Sequence, residues 1–256
     1  MQRIAFYVNE HKRYWISEYS KIKIPLPPLD VQKEIVEQIE AKENSIKHAK
    51  EIIKNLERER RYFGQSLRKL KDVEWVKLGD VCKTTSGGTP LKSKREYYEN
   101  GTIPWLKSGE VDQGLIYESE EMITEKGLKN SSAKIFPVNT VLVAMYGATA
   151  GKVGLLKFES TTNQAVCGIL PNDKFIPEFL YMYLRTRTGE MVRLSGGGAQ
   201  PNISQTIIKA LEIPLPSIEI QKQLVAEAEK EEEIITANRR LIELMEQKIE
   251  KTLETI

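Results

Sequence analysis

A chain of 256 residues is long enough for one sizeable core with an extended element, or for two small domains. Its 40% hydrophobic and 29% charged residues are ordinary for a soluble protein, and no apolar run approaches the roughly 18 to 20 residues of a membrane span. A net charge of +2 does not by itself indicate a nucleic-acid partner, while two cysteines and two histidines are too few for a disulfide framework or a zinc site. We therefore expect a soluble cytoplasmic protein with no membrane association and no metal.

The first segment, residues 1–24, is too short for a domain, although it is rich in aromatic residues. Its beginning lacks the apolar stretch of a secretion signal. The part from Ile16 onward is similar to the part that begins at Ile203. We interpret residues 1–24 as an N-terminal extension or as the remnant of a domain.

An internal repeat frames the rest of the chain. The segment Ile24–Glu40 (IPLPPLDVQKEIVEQIE) returns 189 residues later as Ile213–Glu229 (IPLPSIEIQKQLVAEAE), with eight of 17 positions identical. In both copies the two prolines favour an extended segment, because proline fixes its own φ and disfavours helix in the preceding residue. A helix is predicted to begin directly after each extended segment.

Both predicted helices carry apolar residues at alternating three- and four-residue steps, which is the a/d pattern of a coiled coil. We call this apolar line the seam of each helix. Residues 30–71 hold 11 Lys or Arg against 8 Asp or Glu, a net +3, and residues 213–256 hold 6 against 10, a net −4. Lys42 and Glu231 also interrupt the two seams at matching positions of the repeat. The residues predicted to pair the helices are Ile35, Ile39, Ile46, Ile53, Leu56, Leu224, Ile235, Ile242 and Ile249.

Between the helices the composition changes to one richer in glycine, threonine, asparagine and aromatic residues. Short apolar or alternating runs predict strands, and a longer run with an early proline predicts a helix that is broken near Gly189. The strands are expected at Val76–Val81, Val141–Tyr146, Val153–Phe158 and Ala165–Leu170, and the helix at Ile176–Leu194. The predicted fold class is α+β, with one mixed α/β domain at 72–212 between two long helices, at 25–71 and 213–256, that form an antiparallel coiled coil. The alternative is that each helix packs only on its own globular domain.

No residue pattern supports catalysis. The run from Gly147 to Lys152 is similar to a phosphate-binding loop, but three residues instead of four separate its glycines and Val153 follows the lysine. It is interpreted as a tight turn between strands, or as a glycine-rich turn that presents Thr149 and Lys152 to a DNA backbone. A nuclease-like set, Asp30 with Glu40 and Lys42, falls at or in the coiled coil, where its members cannot converge. We predict no catalytic residue and no enzymatic activity of its own.

Polar loops of the middle domain have the composition of a DNA contact surface. Lys and Arg suit phosphates, Gln and Asn can bond to adenine, and glycine permits close approach of two backbones. The candidate DNA-binding residues are Ser86, Gly87, Gly88, Thr89, Lys92, Lys94, Arg95, Lys107, Tyr146, Thr149, Lys152, Gln200 and Asn202. Solvated connecting loops of no specific function are the alternative interpretation.

Taken with the repeat, these segments resemble the specificity subunit of type I restriction-modification systems. In that family an Ile-Pro-Leu-Pro-like segment followed by glutamine leads into each of two helical regions, as at Ile24–Gln32 and Ile213–Gln221 here. The resemblance covers residues 16–256. Its further matches in the middle domain are Trp75–Asp80, Ser86–Pro90, Ile103–Trp105, Gly147–Gly151, Thr162–Gln164 and Gly197–Ile203.

The resemblance implies that residues 72–212 are a target-recognition domain for double-stranded DNA. It also implies that the helices separate recognition domains and dock methyltransferase subunits, while restriction subunits join through the complex. Those other subunits would bring S-adenosylmethionine and ATP chemistry, so this chain is expected to bind no cofactor.

The family pattern has two recognition domains and this chain has one, so we interpret the chain as a half-length form. It is expected to act as a homodimer on a palindromic bipartite site. Two other readings stay open, namely a coiled-coil adaptor whose middle domain binds protein, and a fragment that serves only as a recombination cassette.

Overall fold

The structure is a computed structural model that describes residues 26–67, 73–196 and 201–254. The segment 1–24 and Gln200, both singled out above, lie outside the described residues. The chain divides into two compact units, one formed by residues up to 57 and from 231 onward, the other by residues 58–230. We refer to them as the helical unit and the recognition unit.

The helical unit is an antiparallel pair. Its two helices belong to α1 (Leu29–Leu67) and to the last helix of the chain, α7 (Ile218–Glu254). The Nζ of Lys50 lies 3.8 Å from Oε1 of Glu246, and Nη2 of Arg239 lies 3.1 Å from Oε1 of Glu57. Residue numbers therefore increase along α1 in the direction in which they decrease along α7. The predicted fold class, a mixed α/β domain together with two long helices that pair in antiparallel fashion, is confirmed.

The predicted seam is the least exposed line of both helices in this unit. Ile46, Ala49 and Ile235 are buried, and the remaining seam residues here that the prediction named are partly buried. These two ion pairs fix the alignment of the helices, and the same alignment places Lys42 opposite the last described turn of α7. Lys42 and Glu231 therefore do not face each other, although they match in the repeat, because the helices run in opposite directions.

The recognition unit is built on a five-stranded mixed sheet. Its strands are β2 (Thr84–Ser86), β4 (Leu115–Ile116), β6 (Val141–Ala144), β7 (Val153–Leu156) and β9 (Val166–Ile169). The strand order is β2-β9-β6-β7-β4, and all pairs are antiparallel apart from β4 with β7. The strand predictions that begin at 141, 153 and 165 are confirmed with shorter bounds.

Both faces of this sheet are covered, which explains why its central strands read as continuous apolar runs. Along β6, Val141 and Val143 belong to one core cluster, whereas Leu142 and Ala144 belong to another. The first cluster includes residues of α4 (Pro177–Thr186) and α5 (Thr188–Leu194). The helix predicted over 176–194 is thus present and broken, with the break at Arg187, two residues before Gly189.

Two smaller sheets complete the unit. Their strands are β1 (Glu74–Lys77), β3 (Ile103–Leu106), β5 (Met122–Ile123), β8 (Thr161–Thr162) and β10 (Glu212–Leu215). One sheet has the order β5-β3-β8, and the other pairs β1 with β10 in antiparallel fashion. The short helices are α2 (Leu78–Val81), α3 (Glu125–Lys129) and α6 (Gln205–Ala210), with 3₁₀ turns at Arg95–Tyr97 and Ser108–Gln113.

The strand predicted at Val76–Val81 is wrong beyond Lys77. The backbone turns into α2 there, because the N–H of Leu78 bonds to the carbonyl of Leu211 at 2.9 Å and Leu78 itself is fully buried. The apolar spacing of this stretch suits a strand as well as a single helical turn, and a tertiary contact decides between them. Of the helices that the structure describes, none is both long and apolar enough to cross a membrane.

Candidate nucleic-acid interface

Most of the candidate contact residues meet at one edge of the five-stranded sheet. Ser86, at the end of β2, pairs with Cys167, and Ala144, at the end of β6, pairs with Val166 near the start of β9. Strand β7 begins at the same edge, since Val153 pairs with Val143. The segments 87–92, 145–152 and 163–165, which adjoin these strand ends, therefore all lie at this edge. Of the candidates, they carry Gly87, Gly88, Thr89, Lys92, Tyr146, Thr149 and Lys152, while Ser86 ends the adjoining strand.

Asn202 belongs to the same edge. It forms an isolated bridge with Tyr146, and the N–H of Ile203 bonds to the carbonyl of Met145 at 2.8 Å. Tyr146 and Asn202 are both exposed. The structure thus brings a residue from the second glycine-rich segment next to the β6–β7 connection, more than 50 positions earlier in the chain.

The two glycines after β2 pack tightly against neighbouring loops. A Cβ added to Gly87 would lie 2.1 Å from Oγ1 of Thr162, and one added to Gly88 would lie 2.3 Å from the backbone nitrogen of Ala133. The N–H of Gly88 donates to the carbonyl of Thr162 at 2.8 Å. Close packing between loops therefore accounts for both glycines, and a DNA contact by either one stays a prediction.

Two glutamines form hydrogen bonds with the hydroxyls of β2 and of the loop that follows it. Gln205 Nε2 donates to Oγ of Ser86, while the hydroxyl of Thr84 donates to Gln205 Oε1 at 3.4 Å. The hydroxyl of Thr89 donates to Oε1 of Gln164. Ser86 is thus tied to α6, and Thr89 is tied to the turn that precedes β9.

The run from Gly147 to Lys152 is the turn between the antiparallel strands β6 and β7, as the first of its two interpretations proposed. Gly147 and Gly151 both have φ of 81°, a left-handed conformation that favours glycine. The hydroxyl of Thr149 donates to the carbonyl of Ser108 at 3.0 Å, and the ammonium of Lys152 lies 3.0 Å from a carboxylate oxygen of Asp112. The turn is thereby fixed to the 3₁₀ segment Ser108–Gln113.

The basic candidates differ in what surrounds them. Lys92 lines a cleft at the sheet edge, together with Thr89 and Lys107. Lys107 is itself 2.9 Å from Glu121 and 3.5 Å from Glu120, and the hydrogen bond to Glu121 is the main cause of its raised pKa.

The two remaining basic candidates do not line the cleft. Arg95 begins a 3₁₀ turn and pairs with Glu99 at 2.8 Å, while Lys94 directly precedes that turn. Lys92 and Lys107 therefore line the cleft, whereas Lys94 and Arg95 lie on a neighbouring exposed segment.

The described residues offer no metal site and no activated thiol. Within the described ranges no three His, Cys, Asp or Glu side chains are placed to hold a metal ion. Cys82 and Cys167 are both buried, and burial raises the pKa of Cys82 and raises that of Cys167 to about 12. Neither sulfur is a thiolate near neutral pH, so neither is an activated nucleophile.

Comparison with known proteins gives the family. Residues 70–254 match the family described as the type I restriction modification DNA specificity domain. The chain belongs to this family. It is 30% identical to the EcoR124I/EcoR124II type I restriction enzyme specificity subunit of Escherichia coli, over 86% of this chain and 58% of that protein. It is 33% identical to the MjaIX specificity subunit of Methanocaldococcus jannaschii, over 69% of this chain and 41% of that protein.

The fold agrees with the family. The crystal structure of the HsdS subunit from Thermoanaerobacter tengcongensis superposes with a TM-score of 0.61 at 21% identity, over 90% of this chain and 59% of that one. At this identity the likeness concerns the fold alone. The chain spans between two fifths and three fifths of the length of these relatives.

Sequence reasoning did not select the glutamines of the cleft. Gln164 and Gln113 line it, and so do Asn163 and Ser108, yet none of the four was among the candidate residues. The sequence distinguishes the stretch Thr162–Gln164 only by its similarity to the family. Its position in the turn before a buried strand, next to the predicted loop at Ser86–Thr89, becomes visible only in the folded chain.

Proposed function

We propose that residues 72–212 form a target-recognition domain that binds double-stranded DNA in a sequence-dependent manner, with residues 25–71 and 213–256 as its helical regions. The observation that carries this proposal is the common sheet edge. Loops far apart in the sequence meet there. They expose, within one surface, the ring of Tyr146, the side-chain amides of Gln164 and Asn202, and the ammonium of Lys92. Lysine suits phosphates, and amide and aromatic side chains suit base edges.

The role we propose is that of binding without catalysis. The relatives are named as specificity subunits of type I restriction enzymes. Cys82 and Cys167 are buried, and the buried carboxylate of Glu110 accepts the N–H groups of Lys107 and Glu120 at 2.7 and 3.0 Å, so these groups have structural roles. Methyl transfer and cleavage would then belong to methyltransferase and restriction subunits, with their own cofactors.

We further propose that the chain acts as a homodimer on a palindromic bipartite site and docks methyltransferase subunits on its helices. Apolar side chains at the start of the first helical region support an assembly role, since Leu26 is 85% exposed and Leu29 is 74% exposed. Solvent-exposed apolar groups in a cluster are typical of surfaces that another protein covers. Sedimentation at micromolar concentration checks the dimer, and a strictly monomeric species would contradict it.

Duplex binding with and without the cognate methyltransferase subunit tests the main proposal. Replacing Lys92, Lys94 and Arg95 by alanine is expected to weaken binding to all duplexes alike. Because each phosphate contact contributes about 0.9 to the slope of log K against log salt, the slope should fall by up to about 3. The matched control removes three exposed lysines of α1, Lys33, Lys47 and Lys54, and should leave the slope unchanged.

The same measurement separates the alternative function. A coiled-coil adaptor whose middle domain binds protein would associate with the methyltransferase subunit but would give no salt-dependent duplex binding in either condition. That result would contradict the DNA proposal. An unchanged affinity and slope in the triple variant would remove only this loop from the DNA surface.

A further inference from the structure

A cleft of about 540 Å³ opens at the sheet edge, within the roughly 300–1,000 Å³ range of small-molecule sites. Three separate segments line it: the loop after β2 with Thr89 and Lys92, the turn and 3₁₀ segment after β3 with Gln113, and the turn before β9 with Asn163 and Gln164. The phosphate contact proposed for Lys92 involves one lining residue, and the amides of the cleft have no assigned ligand.

Hydrogen bonds join these three walls to one another. The indole Nε1 of Trp105 donates to the carbonyl of Gly88 at 2.9 Å, and the N–H of Asn163 donates to the carbonyl of Leu106 at 2.8 Å. Thr89 adds the side-chain bond to Gln164. The cleft is consequently a preformed feature of the fold, with its rim side chains set by contacts between distant segments.

The charges of the cleft do not suit a phosphate group. Glu110 and Glu120 both line it, and Lys107 is already paired with Glu120 and Glu121. Lys92 stands at the rim as an exposed cation. A polar ligand without negative charge therefore fits better than a phosphate.

The amides of the cleft supply the hydrogen-bonding groups for such a ligand. The Oδ1 of Asn163 accepts the N–H of Ala165 at 3.1 Å, so its amide nitrogen is not used in this bond. Gln113 and Gln164 are both exposed, and the amide nitrogen of Gln164 makes no hydrogen bond to the described part of the chain. A side-chain amide with both groups available bonds bidentately to N6 and N7 of adenine.

We propose that Gln164 is a base-reading residue for adenine, and that Thr89 is a positioning residue that orients its amide. The hydroxyl of Thr89 donates to Oε1, so the amide oxygen is fixed on the Thr89 side while its second lone pair stays open to the N6 amino group. The amide nitrogen is then directed away from Thr89 and donates to N7. This inference rests on the proposed DNA-binding function and names the residues that give it sequence preference.

The test is selection of duplexes from a randomised pool by the full chain, alone and with the methyltransferase subunit, for the wild type and for Gln164→Glu. A carboxylate accepts from N4 of cytosine and cannot donate to N7 of adenine. The variant should lose preference for adenine at one position by roughly 5- to 150-fold and gain cytosine there, with the other positions unchanged. Gln223→Glu, at an exposed position of α7, makes the same charge change and should keep the wild-type preference. It is compared with the wild type on the chain alone, because α7 belongs to the helical regions proposed to dock methyltransferase subunits.

Thr89→Val and Thr89→Ser test the positioning role. Valine removes the hydroxyl at nearly constant shape and should broaden the preference at the Gln164 position, whereas serine retains the hydroxyl and should restore it. A purely structural Thr89 would lower stability without moving base preference. The melting temperature of each variant separates the two effects.

Each outcome bears on a different claim. A wild-type motif that Gln164→Glu leaves intact, or a uniform loss of affinity without a base change, overturns the inference and leaves the DNA-binding proposal standing. A wild-type chain that enriches no sequence in either condition contradicts the DNA-binding proposal itself.

Discussion

The two copies of the repeat have nearly the same local structure in very different surroundings. In the first copy, Gln32 Nε2 donates to the carbonyl of Pro27 at 2.7 Å, and in the second, Gln221 Nε2 donates to the carbonyl of Pro216 at 2.9 Å. The second glutamine is fully buried and also bonds to the segment that precedes α4. It accepts the N–H of Ile176 at 2.8 Å and donates to the carbonyl of Lys174 at 2.9 Å.

The apolar residues of the copies differ in the same way. Val225 in the second copy is 8% exposed and belongs to the main core, whereas its counterpart Val36 is 52% exposed. The extended segments differ where both are described, since Leu215 in β10 is partly buried, whereas its counterpart Leu26 is 85% exposed. The comparison teaches that the repeat encodes an extended segment, a glutamine-closed turn and a helix, and that docking onto a domain is a separate, tertiary property.

The largest expected difference between the copies concerns their glutamines. Gln221→Leu removes the buried bond to the carbonyl of Pro216 and the part-buried bonds to the N–H of Ile176 and the carbonyl of Lys174. A buried polar group left unpaired costs about 1–3 kcal/mol, and the part-buried groups add less. We expect the free energy of unfolding of the recognition unit to fall by roughly 3 kcal/mol. Urea unfolding followed by tryptophan fluorescence measures it, because Trp75 and Trp105 both lie in this unit.

Gln32→Leu is the matched control, since it breaks the same local bond at an accessible position. The expected loss is less than about 1 kcal/mol. Equal losses for the two variants would mean that the bonds to Ile176 and Lys174 contribute little, and that the local turn is what both glutamines stabilise.

A smaller difference is expected for the valines. Val225→Ala removes two buried methyl groups and leaves a cavity, so the free energy of unfolding should fall by roughly 1.5–2.5 kcal/mol. Val36→Ala should change it by less than about 0.5 kcal/mol, since lost contacts are small and alanine favours helix. The same urea titration applies, and a cost for Val36→Ala that approaches the cost for Val225→Ala would show that the first copy is also covered in the free protein.

These contrasts also mark how far the sequence could be interpreted. The helices and their seam follow from a periodicity that lies within each segment, and the three confirmed strands follow from apolar runs that end in turn residues. The repeat, by contrast, gives both copies the same prediction. Nothing within Ile24–Glu40 or Ile213–Glu229 reveals which copy meets the N–H of Ile176, because that group lies on another segment.

The candidate site shows the same limit. The loop at Ser86–Thr89 and the turn at Gly147–Lys152 were found from composition, since glycine, hydroxyl and basic residues cluster within each of them. The cleft was not found, because its rim joins Thr89 to Gln164 across 75 positions of the chain. The strand predicted at Val76–Val81 is wrong over Leu78–Val81 for a related reason, because the partner that decides for a helical turn is Leu211.

The smallest difference concerns the residue that precedes each helix. In the second copy, Ser217 caps α7, with its Oγ 3.3 Å from the N–H of Ile220, and its carbonyl accepts the N–H of Gln221 at 2.9 Å. In the first copy Pro28 holds the equivalent place, and its carbonyl accepts the N–H of Gln32 at 3.0 Å. Proline offers no side-chain cap but restricts the unfolded chain.

Ser217→Ala should therefore cost about 1 kcal/mol, which is typical of a lost N-cap. Pro28→Ser should change stability by less than about 0.5 kcal/mol, because the new cap is offset by the greater entropy of the unfolded chain without proline. Native-state hydrogen exchange at the amides of Ile220 and Val31 reports on the first turn of each helix separately. Pro28→Ser could instead raise the exchange protection of the Val31 amide by as much as Ser217→Ala lowers that of the Ile220 amide. That result would mean that the cap alone stabilises the start of both helices, and that proline contributes nothing through the unfolded state.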